Sequence, residues 1–183
     1  IIDPAWDGET ILELARKRGW KIHQVWVTHA HFDHIAGVAA IKAASSEPVS
    51  IALHPADLPL WESRGGASLF GLFIEKPPRL DIELKNGQRL TVGNLEFEVR
   101  HAPGHTPGHV VFYCAAEKTV FCGDVIFAGS IGRTDLPGGD HQTLITSIQQ
   151  QILTLPDDTR LFSGHGPVTT VGAERASNPF LNG

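Results

Sequence analysis

The chain has 183 residues, 42% hydrophobic and 19% charged, with a formal net charge of −5. That length suits a single domain, 1–183, with a sizeable core, and the balance excludes a disordered chain. The acidic surplus, with no basic patch, excludes nucleic acid as a partner. No apolar run approaches the roughly 20 residues of a membrane span, so no membrane partner is expected. Two cysteines, Cys114 and Cys122, exclude a disulfide scaffold and fit a reducing, cytoplasmic compartment.

The chain opens Ile1-Ile2-Asp3-Pro4 and contains no Met. This opening reads as a strand end entering a turn, so one or more strands are expected before it. Asp7 is a good N-cap, and Ile11, Leu12, Leu14 and Ala15 mark an amphipathic helix that stops at Gly19. Residues 22–28 carry Val25, Trp26 and Val27 and predict a buried strand. This strand runs straight into His29-Ala30-His31-Phe32-Asp33-His34. Residues 35–44 predict the next helix.

Three imidazoles and a carboxylate within six positions are ligands for zinc-like divalent ions. Placed on a strand-to-helix loop, alternate residues can converge on one ion while Asp33 and His34 turn to a second. The segment therefore predicts two metals side by side, and a hydrolase.

Residues 49–53 predict a short strand. Residues 54–79 predict a short helix and then an irregular apolar loop containing Leu69, Phe70, Leu72 and Phe73. Asn86-Gly87 and Gly93-Asn94 are hairpin turns. Between and after them, Leu95, Phe97 and Val99 alternate with Glu96, Glu98 and Arg100. Residues 109–114 and 119–122 predict a strand pair, 142–153 a helix, 161–163 a strand, and 172–176 a final helix. Strands at both ends with helices interspersed suit a sheet pair covered by helices.

Three further candidate ligands lie on loops beside strands. They are His105 in Pro103-Gly104-His105-Thr106-Pro107-Gly108-His109, Asp124 in Cys122-Gly123-Asp124, and His165 in Ser163-Gly164-His165-Gly166. Glycine and proline permit the sharp turns that aim a side chain. His54, His101 and His109 read as packing or supporting residues rather than ligands. Cys122 reads as buried structure. Arg133 has two readings: a clamp for a substrate carboxylate, or an ion pair with Asp135. Leu69 to Phe73 reads as local core, with an apolar lid as the other possibility.

Taken in order, Thr28 to His34, Gly104-His105-Thr106-Pro107-Gly108-His109, Gly123-Asp124 and Gly164-His165-Gly166 resemble the metallo-β-lactamase superfamily. Gly132-Arg133-Thr134-Asp135-Leu136-Pro137 and Asn178-Pro179-Phe180-Leu181 are similar to its short glyoxalase II-like (hydroxyacylglutathione hydrolase-like) members. The resemblance implies an α/β fold, the αββα metallo-β-lactamase sandwich, without the C-terminal helical glutathione-binding domain. It implies that His29, His31 and His105 hold one divalent ion, and that Asp33, His34 and His165 hold a second. Asp124 would bridge the two ions, and Asp33 and Asp124 would be the catalytic carboxylates. Asp3 matches the aspartate that supports the metal loop, and Ala5 stands where a glycine is usual.

Zinc is the expected ion, with iron or manganese as alternatives. His34 stands where many β-lactamases carry Arg, which turns the expectation from lactams to small-molecule thioesters. The expected substrates are hydroxyacyl thioesters of glutathione or a related thiol. Two other activities of the same fold are a mono-iron persulfide dioxygenase, using His29, His105 and Asp124, and a broad lactonase or esterase.

Overall fold

The computed structural model describes residues 1–181, which form two compact units, the first Ile1–Leu84 and the second from Lys85 onward. Among the described residues, no helix is long and apolar enough to cross a membrane.

In the first unit, helix α1 spans Gly8–Lys17. Asp7 caps it as expected, accepting the Thr10 N–H at 3.1 Å and the Thr10 hydroxyl at 2.7 Å. The chain turns at Gly19 (φ +67°), a left-handed conformation that suits glycine. Strand β1 is Gln24–Trp26, shorter than predicted. Beyond it, Val27 N–H still bonds Ala52 O at 2.9 Å. β2 (Ser50–Leu53) lies between β1 and β3 (Ile82–Glu83), all parallel.

The helix predicted over 35–44 is two helices, α2 (Phe32–Ile35) and α3 (Val38–Ala44). The break falls at Gly37, whose N–H bonds both Pro4 O (2.9 Å) and Ala5 O (3.0 Å). A Cβ there would sit 2.7 Å from Pro4 O. The N-terminal turn therefore needs a residue without a side chain at 37. A one-turn helix, α4 (Leu58–Glu62), follows β2, and a 3₁₀ stretch, Arg64–Phe70, follows α4. Val25, Val27, Ile35, Ile41, Ile51 and Leu53 fill this unit's core.

The second unit is built on a six-stranded sheet. Its strands are β4 (Arg89–Val92), β5 (Leu95–His101), β6 (Val110–Cys114), β7 (Thr119–Gly123), β10 (Arg160–Ser163) and β11 (Thr169–Thr170). The order is β11-β10-β7-β6-β5-β4, antiparallel except for the β10–β7 pair. The alternation in β5 is realised: Phe97 and Val99 are buried and Glu96 is exposed. A small hairpin, β8 (Ile126–Phe127) and β9 (Ser130–Ile131), follows β7.

Helix α5 (His141–Ser147) continues as a π-helical stretch to Ile152, and α6 covers Val171–Ser177. Leu144, Ile148, Ile152, Leu161 and Val171 are buried with Val120 and Cys122. Each fully buried side chain of this size stabilises the fold by about 1.5–3 kcal/mol. Burial also pushes the Cys122 thiol well above its ordinary pKa, so it is the inert structural cysteine expected.

Candidate metal centre

The first unit presents its candidate ligands just past β1. Asp3 sits in a left-handed conformation (φ 45°), with its N–H bonded to Trp26 O at 3.0 Å. That places its carboxylate beneath the ligand loop. Oδ1 accepts the Thr28 N–H at 2.7 Å. Oδ2 accepts the Thr28 hydroxyl at 2.6 Å and lies 2.9 Å from His34 Nδ1. Thr28 Oγ1 in turn lies 3.0 Å from His29 Nδ1.

These contacts fix two tautomers. A carboxylate only accepts, so His34 carries its proton on Nδ1. The hydroxyl proton of Thr28 is committed to Asp3, so Thr28 Oγ1 accepts from His29 Nδ1–H. Both rings therefore carry the proton on Nδ1 and leave Nε2 unprotonated, the form that binds a metal.

His29 is fully buried and His31 and His34 nearly so. Asp3, His29 and His34 offer ligand atoms within 4.8 Å of one another. Asp3 already accepts three hydrogen bonds, so it acts here as the support of the loop. Asp33 Oδ2 stands 3.9 Å from His34 Nε2.

Two further contacts hold this loop. Asp57, fully buried, accepts the Ala30 N–H at 3.0 Å. Gly65 packs flat on it: a Cβ there would meet Phe32 Cα at 2.6 Å and Ala30 O at 2.7 Å. Sequence reading misses Asp57, since a lone Asp in a proline-rich turn carries no local signal. His54 caps that turn, its Nδ1 accepting the Ala56 N–H.

The second unit brings together His105, Asp124 and His165. Asp124 Oδ2 lies 3.7 Å from His105 Nε2 and 3.6 Å from His165 Nε2. Asp124 thus stands close to each of two imidazoles, and the imidazole and carboxylate donors suit zinc, iron or manganese. His105 Nδ1 lies 2.7 Å from Arg133 O. A carbonyl accepts the Nδ1 proton, which leaves Nε2 to the ligand side.

His109 is fully buried and its Nε2 accepts the Asp124 N–H at 3.0 Å. It thus positions the Asp124 backbone. His109→Ala should lower metal affinity about 10–100-fold, the usual effect of removing such a support. His109→Gln, whose amide oxygen can still accept, should recover part of it. Metal titration followed by calorimetry measures both, and an unchanged affinity for the Ala variant would refute the role.

The Arg133 guanidinium makes paired 2.7 Å bonds to Asp135, which hold the Asp135 carboxyl down to about 2. The residue's carbonyl, not its charge, reaches His105. His101 Nε2 lies 2.9 Å from Pro107 O, a local structural contact.

Glu174 on α6 also escapes sequence reading. It is buried and accepts from Gly129 N–H (2.9 Å), Thr169 Oγ1 (2.6 Å) and Asn178 Nδ2 (2.8 Å). It thereby ties the β8–β9 hairpin, which leads to Arg133, to the strand that follows the His165 loop.

This architecture and donor set define a metallo-hydrolase. Residues 1–165 match the family described as the metallo-beta-lactamase superfamily, and the chain belongs to it. It has the metallo-β-lactamase fold, an α/β fold as expected.

Among relatives, it is 38% identical to the "Probable metallo-hydrolase YqgX" of Bacillus subtilis, covering 100% of this chain and 87% of that protein. It is also 38% identical to the "Hydroxyacylglutathione hydrolase GloC" of Haemophilus influenzae, covering 100% and 86%. Among solved structures, TTHA1623 in a di-iron-bound form superposes with a TM-score of 0.91 at 45% identity, covering 98% of this chain and 88% of that one. BLEG-1, a B3 metallo-beta-lactamase, gives 0.92 at 42% identity, covering 100% and 88%.

Proposed function

We propose that this protein is a binuclear thioester hydrolase acting on hydroxyacyl thioesters of glutathione or a related thiol. The relationship to GloC along the whole chain carries this reading. The di-iron form of TTHA1623 supports two ions and makes iron a serious rival to zinc. The residues that would hold them are His29, His31, Asp33, His34, His105, Asp124 and His165. Two bound divalent ions would supply a hydroxide near neutral pH and polarise the thioester carbonyl.

The chain's own residues do the rest. Asp3, through Thr28 and His34, keeps two imidazoles in the ligating tautomer. The Arg133 carbonyl does the same for His105. Asp33 and Asp124 would be the carboxylates that help to hold the ions, and Asp33 would also accept a hydrogen bond from the attacking hydroxide. His109 holds the Asp124 backbone at the end of β7.

The test is hydrolysis of S-lactoylglutathione by the metal-loaded protein, before and after chelation. Chelation should remove at least about 10³-fold of kcat/KM, since the nucleophile itself depends on the ions, and readdition should restore it. Turnover indifferent to chelator would end the proposal. A second reading, lactam hydrolysis, is favoured by the similarity to BLEG-1. A chromogenic cephalosporin in the same assay separates the two. One iron per chain with persulfide-dependent oxygen uptake would instead point to a dioxygenase.

A further inference from the structure

The first unit exposes more large apolar surface than a folded core requires. Trp6, Leu69, Phe70, Leu72 and Phe73 are 48%, 64%, 46%, 46% and 74% exposed. Scattered exposed apolar residues are ordinary, but a contiguous group marks a binding surface. Here ring contacts make the group contiguous. Phe32 packs edge-on to Trp6 with centroids 5.9 Å apart, and lies 5.3 Å from Phe70. The row Trp6–Phe32–Phe70 then leads along the 3₁₀ stretch to Leu72 and Phe73.

The row is not a remote patch. Phe32 is peptide-bonded to His31 and Asp33, two of the candidate ligands. The 3₁₀ stretch that carries Phe70 is pinned to the same loop where Gly65 meets the Phe32 backbone. Phe32 thus stands between two residues that would hold an ion, and its ring packs into the apolar row. The surface has a chemical character as well. The side chains of the row carry no charge, and the Arg64 guanidinium stacks at its far end, over Phe73 (4.9 Å).

We propose that Trp6, Phe32 and Phe70 form a platform for an apolar acyl group, so that the preferred thioesters carry an alkyl or aryl acyl chain. This rests on the thioesterase reading and narrows it. A lactoyl group is small and polar, and glutathione is charged along its length. Neither gains from a row of large apolar side chains, so a larger apolar acyl chain is the group that does.

Two measurements on the metal-loaded protein test this. The first compares kcat/KM for S-mandeloylglutathione and S-lactoylglutathione. The second compares the Kd of S-hexylglutathione with that of glutathione by calorimetry. A platform predicts about tenfold or more in favour of the apolar member of each pair. Phe70→Ala should bring both ratios down severalfold, whereas Val92→Ala, an exposed apolar residue on β4, should leave them unchanged.

Equal Kd values for S-hexylglutathione and glutathione would overturn the platform even if S-lactoylglutathione is turned over. If neither thioester is hydrolysed, the thioesterase reading falls, and the binding comparison still decides the platform. If Phe70→Ala converts a dimer to a monomer and leaves both ratios intact, the face joins two copies of the chain, and the proposal is wrong.

Discussion

Asp3→Asn should lose metal while keeping its fold. The substitution changes one atom from acceptor to donor at a position where three donors converge. The amide oxygen will take the Oδ1 place, because the Thr28 N–H cannot turn away. That puts the amide NH₂ where Oδ2 was, facing the Thr28 hydroxyl and His34 Nδ1. His34 must then accept at Nδ1, and its proton moves to Nε2, the atom that should bind the ion. Thr28 Oγ1 must likewise accept from the new amide, so its own proton turns to His29 Nδ1, and His29 also becomes the Nε2–H tautomer. One isosteric change thus blocks two proposed ligands.

The expected loss in metal affinity is at the upper end of the roughly 10–100-fold seen when such supports are removed, or beyond it. kcat/KM should fall in parallel. Asp3→Ala should retain more metal than Asp3→Asn, because a water that enters can accept from the Thr28 hydroxyl and His34 Nδ1–H and so keep both imidazole tautomers. It should also be the less stable of the two, since removing the carboxylate leaves buried donors to be satisfied at about 1–3 kcal/mol each. Nitrogen NMR of the imidazoles reads the tautomers directly. Asp3→Asn with wild-type metal content and unchanged His29 and His34 tautomers would refute the argument.

The parts of this centre that can be read in sequence are those encoded by neighbours. His29 to His34 lie within one loop, so spacing alone announces a metal site, and Pro103 to His109 carries its turn chemistry in its own glycines and prolines. The parts that cannot be read depend on distant backbone. Gly37 breaks a helix because Pro4 and Ala5, far earlier in the chain, place their carbonyls against it. Asp57 and Glu174 are single acids whose meaning lies in the Ala30 and Gly129 amides they bind. No local pattern marks such a residue. The β8–β9 hairpin is likewise invisible, because two-residue strands show no periodicity. Yet it carries the chain from Asp124 to Arg133, whose carbonyl orients His105.

That hairpin supplies the second large expected effect. Gly132→Ala should nearly abolish activity, whereas Gly129→Ala, on the hairpin's turn, should not. The two glycines differ in what a methyl group would meet. At Gly129 the backbone is left-handed (φ +70°), and nothing lies within 4 Å of the place a methyl group would take. The cost there is conformational, about 1–2 kcal/mol, and stays in the turn. Gly132 has no such backbone strain, but a Cβ would drive into the Asp124 carbonyl oxygen and sit 3.2 Å from His105 Nδ1. Neither neighbour can give freely. Asp124 is tied through its N–H to His109, and His105 through Nδ1 to Arg133.

Relief must therefore separate the Asp124 and Gly132 backbones, which moves Arg133 O off His105 or tilts the Asp124 carboxylate. A shift of about 1 Å in such a constellation costs on the order of 10²-fold in rate. Gly132→Ala should accordingly lose at least that in kcat/KM and bind metal more weakly, while Gly129→Ala stays within a few fold and only melts lower. Side-by-side thermal melts, metal titrations and S-lactoylglutathione kinetics decide it. Equal activity for the two variants would show that the close approach of Gly132 to Asp124 does not govern the site.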